Sequence, residues 1–121
     1  EDDDLFNAAY YDLVSGFDLG VFASSYEPWG YTPLECIATG VPTITTDETG
    51  FGAFIAKKNV SGVEVIKKDG SCESNLATLL SKYAALVTEQ RIMLSLAARD
   101  AAEYCDWDSF VKQYLKVYGW S

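Results

Sequence analysis

Residues 19–46 read LGVFASSYEPWGYTPLECIATGVPTITT, and the order of patterns in this stretch decides the fold. It opens on a short apolar run, 19–24, of the kind that forms a strand buried on both faces. It closes on a β-branched run, 41–46, which reads as a second strand. Between them PLECIATG reads as a short helix. Thr32 is a preferred N-cap, Pro33 falls at the first helical position, where its missing N–H costs nothing, and Glu35 falls at the third. Thr32 and Glu35 together predict a capping box. Gly40 marks the stop, with Pro42 soon after. Strand, helix, strand in this order is a βαβ unit, and such units predict a mainly parallel sheet.

The same reading extends in both directions. GVEVI, 62–66, is a third strand, and DETGFGAFIAK, 47–57, predicts a glycine-bearing turn with one or two helical turns. On the N-terminal side Leu5, Phe6, Ala9, Tyr10, Leu13 and Val14 keep the rhythm of an amphipathic helix over 5–17, with Gly16 at its stop. On the C-terminal side Leu76, Leu79, Leu80, Tyr83, Leu86 and Val87 form one apolar stripe. Thr88 is positioned to cap a helix running to about residue 104. Trp107, Phe110, Val111, Tyr114, Leu115 and Tyr118 form a further stripe, with Asp106 and Asp108 at its positive end. The expected fold class is therefore α/β, about three parallel strands followed by a helical tail. Three strands are fewer than a doubly wound sheet usually has, so the pattern reads as the second half of a Rossmann-like domain, a single partial domain over 1–121. EDDD at 1–4 is a like-charge run, expected to be solvated and frayed, and its lack of Met suggests a mature or excised piece.

Composition narrows the partners. A hydrophobic share of 49% supplies a core, and a formal charge of -9 repels phosphate backbones and anionic lipid. Nucleic acid and membrane surfaces are thus disfavoured as partners, and neither a spanning segment nor a signal-peptide pattern is seen. Cys36, Cys72 and Cys105 show no paired spacing, and the chain has no histidine, so no zinc site is expected. An odd count of cysteines fits reduced thiols in a cytoplasmic protein. The sequon NVS at 59–61 is read as chance.

The turn at 27–32 carries the chemistry. A strand that leads through a glycine-containing turn into a helix N-terminus presents free N–H groups and a favourable dipole to an anion. Gly30 lets a ligand approach the main chain. Ligands of open α/β sheets sit outside the carboxyl ends of the strands, which is where this loop lies. Phosphate would account for the N–H groups but not for Glu27 and Glu35; hydroxyls are the natural partners of those carboxylates. A nucleotide sugar offers both.

The stretch LGVFASSYEPWGYTPLECIATGVPTITTDETGFG, 19–52, resembles the signature segment of glycogen synthases of the animal, fungal and Bacteroidetes type, which are retaining glycosyltransferases of the two-Rossmann GT-B architecture. The E-x₇-E spacing from Glu27 to Glu35 is shared widely among GT-B enzymes, whereas EPWGYTP is much narrower. The resemblance is looser through YYDLVSGFD and the aromatic last helix. It implies that Glu27 holds hydroxyls of the transferred glucose and stabilises charge near the reacting carbon. It implies that the amides of Trp29 and Gly30 approach the sugar and those of Tyr31 and Thr32 the diphosphate. Glu35 would bind the ribose hydroxyls, and Tyr10, or else Tyr11, would stack on uracil. Gly50 and Gly52 would line the same crevice.

The parent protein would move glucose from a nucleotide donor, UDP-glucose, to an α-1,4-glucan, with no metal and no cofactor beyond that substrate. The family also uses a basic Arg/Lys pair and a histidine from its N-terminal domain. This chain has no His and no basic residue before Lys57, so those groups and the N-terminal GT-B domain must come from sequence outside it. The chain alone is expected to be inactive. Other readings stay open: a retaining GT-B enzyme with a different donor or acceptor, or a non-catalytic nucleotide-binding or interaction domain. Residue by residue, Glu35 would also serve as a plain cap, Trp29's ring as a core anchor, Cys36 as packing, and Lys57 and Lys58 as a solvated pair. The aromatic last stripe would pack on the sheet, or be left exposed and invite self-association.

Overall fold

The computed structural model describes residues 8–120. The acidic run at 1–4 and the predicted helical positions Leu5 and Phe6 lie outside the described residues. Three strands, β1 (Gly20–Phe22), β2 (Thr43–Thr46) and β3 (Val63–Ile66), form one open parallel sheet in the order β1-β2-β3. The register pairs Gly20 with Thr43 and Thr43 with Val63. Helices α1 (Tyr10–Ser15), α2 (Tyr31–Ala38), α3 (Gly50–Ile55), α4 (Cys72–Ala84), α5 (Thr88–Ala102) and α6 (Trp107–Val117) complete the described chain. Two 3-10 turns, Ala56–Lys58 and Glu103–Cys105, follow α3 and α5. The expected α/β arrangement, three parallel strands with a helical tail, is what the chain adopts.

Alternation along the strands assigns the two faces of the sheet. Ile44 and Ile66 pack with Cys72, Leu76 and Leu79 beneath α4. Val63 and Val65 turn the other way, into the main core with Ile37, Phe51, Ile55, Ala98 and Ala101. That core joins α2, α3 and α5 to β3, and Trp29 of the 27–30 segment packs against it. β2 is central and all four of its residues are buried. Its threonines are nonetheless satisfied: Thr43 Oγ1 donates to the Val41 carbonyl at 3.1 Å and Thr46 Oγ1 to the Ser24 carbonyl at 2.6 Å.

Three expectations need correction. β1 is not buried on both faces: it is an edge strand of three residues, with Val21 41% exposed. The apolar run shows that the segment suits a sheet, but not how many neighbours it has. Secondly, α2 begins two residues earlier than the Thr-Pro pattern implies. Its N-cap is Gly30, in the left-handed region at φ 107°, and no side chain caps it. Thr32 and Pro33 are then the second and third helical residues, and Pro33 remains in the first turn, where N–H groups lack partners in any case. The capping box is absent because Glu35 points elsewhere. Thirdly, α5 is capped at Val87, whose N–H donates to Gln90 Oε1 at 3.2 Å, and Thr88 is its first helical residue. Because α4 ends at Ala84, Leu86 and Val87 both lie outside its stripe.

The far end of α2 follows its prediction. Gly40 takes a left-handed φ of 86°, its N–H reaches the Ile37 carbonyl at 3.0 Å, and the Val41 N–H reaches the Cys36 carbonyl at 2.9 Å. That pair of bonds is a Schellman motif, which turns the chain directly into β2. The sharp stop fixes where the helix sits on the sheet, and with it the turn at its head.

Candidate functional site

The 27–30 turn leaves β1 and lies down on the loop that follows β2. Four hydrogen bonds from the main chain or a threonine hold it there. Gly50 N–H donates to the Glu27 carbonyl at 3.0 Å and Phe51 N–H to the Trp29 carbonyl at 2.6 Å. Glu27 N–H reaches the Glu48 carbonyl at 3.5 Å, and Thr46 Oγ1 ties down Ser24. Glu27 and Thr49 pair as an isolated parallel bridge. Side chains at two positions would prevent this docking. A Cβ on Gly50 would run into the Pro28 carbonyl, and one on Gly52 into the Thr46 carbonyl. Thr49 caps α3, accepting from the Gly52 N–H at 2.9 Å. The sequence reading did not single out Thr49, although a threonine directly ahead of GFGAFI is a recognisable N-cap signal.

Beneath the turn, the Trp29 ring packs edge-on against Phe51 at 6.2 Å and Phe110 at 5.7 Å, and tilted against Phe54 at 5.7 Å. Its side chain is an anchor, and its carbonyl is tied to the Phe51 N–H. The N–H groups of Trp29, Gly30, Tyr31 and Thr32 have no acceptor among the described residues. They are the orphan donors expected where a turn enters a helix. Half-buried Glu27 folds back over this turn: its Oε2 stands 3.3 Å from where a Cβ on Gly30 would be. Gly30 thus does two jobs, permitting the left-handed step and leaving room for a carboxylate.

Glu35 lies four residues beyond Tyr31, about one helical turn along α2. Its Oε2 accepts a hydrogen bond from the Tyr10 hydroxyl at 3.0 Å, and its Oε1 one from the Tyr11 hydroxyl at 3.3 Å. Tyr10 and Tyr11 are exposed neighbours on α1, with rings edge-on at 5.1 Å. Desolvation, then the bond to Glu35, raise the Tyr10 phenol above its ordinary pKa. Cys36 is buried, and its thiol is also pushed up, first by desolvation and then by Glu35, which suits packing rather than reactivity.

The structure therefore brings Glu27, the four amides, Glu35 and Tyr10 onto one edge of the molecule, in that order. It adds Tyr11, which sequence reasoning held only as a substitute for Tyr10. No residue spacing could pair Tyr10 with Glu35, which are 25 positions apart. Lys57 is exposed as expected, whereas the Lys58 ammonium stands over the Phe54 ring at 4.9 Å and the Tyr104 ring at 5.5 Å. The site edge is an open surface. The apolar hollow nearest to it, about 230 Å³, lies between Trp29, Tyr31, Leu34, Trp107, Phe110 and Tyr114. Among the described residues no group of three His, Cys, Asp or Glu side chains is placed to hold a metal ion, and no helix is long and apolar enough to cross a membrane.

Comparison with known proteins bears on what this edge is for. The glycogen synthase family profile matches residues 2–119. The chain is similar to the glycogen (starch) synthase of Neurospora crassa, 36% identical over 116 residues, which is 89% of this chain and 16% of that protein. It is 34% identical to the liver glycogen (starch) synthase of Homo sapiens over 114 residues, covering 87% of this chain and 16% of the human one. With isoform 1 from Saccharomyces cerevisiae the identity is 35% over 119 residues, covering 89% and 17%. The chain spans about a sixth of the length of these relatives.

Proposed function

The chain belongs to the glycogen synthase family, and from that premise we propose that it supplies the nucleotide-sugar half-site of a retaining glycosyltransferase. The parent enzyme transfers glucose from UDP-glucose to an α-1,4-glucan. The observation that carries this reading is the order of groups from the 27–30 turn along α2 to α1: carboxylate, free amides, second carboxylate, aromatic. A nucleotide sugar has the matching order of hexose, diphosphate, ribose and base. Glu27 binds hydroxyls of the glucose and stabilises charge near the reacting carbon. The amides of Trp29 and Gly30 approach the sugar, while those of Tyr31 and Thr32, with the helix end behind them, receive the departing diphosphate. Glu35 binds the ribose, and Tyr10 takes the base.

The protein's contribution is positional and electrostatic. Amides held by the 27–51 hydrogen bonds need not reorganise as charge develops on the leaving group, which is how such sites lower a barrier. No metal and no further cofactor takes part in this scheme. The basic pair that balances the diphosphate lies on parent sequence outside this chain, and the histidine beside the sugar comes from the N-terminal GT-B domain. The chain alone is accordingly inactive, and nucleic acid and membranes are not its partners. Buried free thiols at Cys36, Cys72 and Cys105 support a cytoplasmic setting.

Calorimetric titration of UDP into the chain, repeated with Glu35→Ala, tests the assignment. Losing both carboxylate contacts to a ribose is expected to weaken binding about tenfold. Equal affinity in the two proteins would remove the ribose role and leave Glu35 as a brace between helices.

A further inference from the structure

The contact between Glu35 and α1 has an unusual form. Each carboxylate oxygen is taken by a different phenol, Oε2 by Tyr10 at 3.0 Å and Oε1 by Tyr11 at 3.3 Å. Burial does not impose this arrangement, because the two residues are 45% and 57% exposed and water could serve either oxygen. Nor do the rings enclose the carboxylate; they meet each other edge-on at 5.1 Å. What the pair does supply is two O–H donors from adjacent residues converging on the two oxygens of one carboxylate. A vicinal diol presents the same donor pattern.

We propose that the Tyr10 and Tyr11 hydroxyls stand in for the ribose diol in the unliganded chain, and that donor binding proceeds by exchange of these phenols for the ribose hydroxyls. The proposal rests on the assignment of Glu35 to ribose and deepens it. Two O–H···O bonds are exchanged for two, so the ribose adds less affinity than it would at an unoccupied carboxylate, while still placing the ligand. The phenols hold the Glu35 carboxylate in its binding orientation before the ligand arrives, at the cost of competing with it. Once released, the rings of α1 are free to meet the base. Tyr10 and Tyr11 are thus positioning residues that act through Glu35 as well as through their ring faces.

A brace and a competitor predict opposite results when the hydroxyls alone are removed. Tyr10→Phe and Tyr11→Phe keep both rings and delete both donors to Glu35. The double variant is expected to bind UDP about three- to tenfold more tightly than the unaltered chain, each single variant less so. Replacing both tyrosines by Ala removes the ring faces as well and is expected to weaken binding. Discrimination provides a second reading: 2′-deoxy-UDP can leave one phenol in place, so the penalty for the missing hydroxyl should be wider in the Phe double variant than in the unaltered chain.

Glu35→Ala, measured alongside, separates the two ideas. If Glu35→Ala weakens UDP binding but the Phe double variant binds UDP equally or less tightly, the exchange is overturned and the ribose assignment stands. If Glu35→Ala has no effect, the ribose assignment fails and takes the exchange with it. Absence of UDP binding by every one of these proteins overturns the proposal too.

Discussion

The 27–30 turn and α6 are both rich in aromatic and apolar residues, yet the chain treats them in opposite ways. Under the turn, Phe51 and Gly52 are buried, Thr46 and Thr49 are at most 1% exposed, and Trp29 is wedged among three phenylalanines. In α6 no residue is buried; Trp107 is 68% exposed and Val117 82%. Only Phe110 reaches the turn's support, through its ring contacts with Trp29 and Phe54. An apolar stripe therefore says that a helix has a face, not what covers it. Packing is concentrated where main-chain donors must be held in place, as a preorganised site requires.

The comparison breaks most readily at Phe51. Phe51→Ala removes a fully buried ring that supports both Trp29 and α3, and should lower unfolding free energy by about 3–5 kcal/mol in urea titration. A loss near 1 kcal/mol would mean that the turn does not depend on this floor. The contrast sharpens at the two ends of α6. Phe110→Ala, at a half-buried position, is expected to cost about 2 kcal/mol, whereas Val117→Ser should stay within about 0.5 kcal/mol. Similar losses at both positions would show that α6 is covered along its whole length in solution, for instance by a second copy of the chain.

Much of the fold was legible because parallel strands leave a strong mark. Three β-branched runs spaced by helical patterns gave β1, β2 and β3 to within two residues at each end. Local chemistry was equally readable at the α2 stop, where Gly40 and Pro42 anticipated the Schellman turn. The α2 start was misread for an instructive reason. T-x-x-E is a local signal, and it was outweighed by the left-handed step at Gly30 and by tyrosines on another helix that claim the Glu35 carboxylate. Position within the sheet left no such mark either, so β1 read as buried although it stands at an edge. The site divides in the same way. The turn with its unpaired amides follows from strand, glycine and helix order, but the Tyr10–Glu35 pairing needed the fold to bring α1 beside α2.

The central claim is that the 27–35 segment is a ready-made cradle for a nucleotide diphosphate. Amide NMR of the isotopically labelled chain during UDP titration tests it most directly, because it reports on each N–H separately. The account predicts the largest shifts at the free amides of Trp29, Gly30, Tyr31 and Thr32, with smaller ones at Tyr10, Tyr11 and Glu35 and none along α6. Shifts confined to the hollow between Trp107, Phe110 and Tyr114, or no shifts at all, would contradict it.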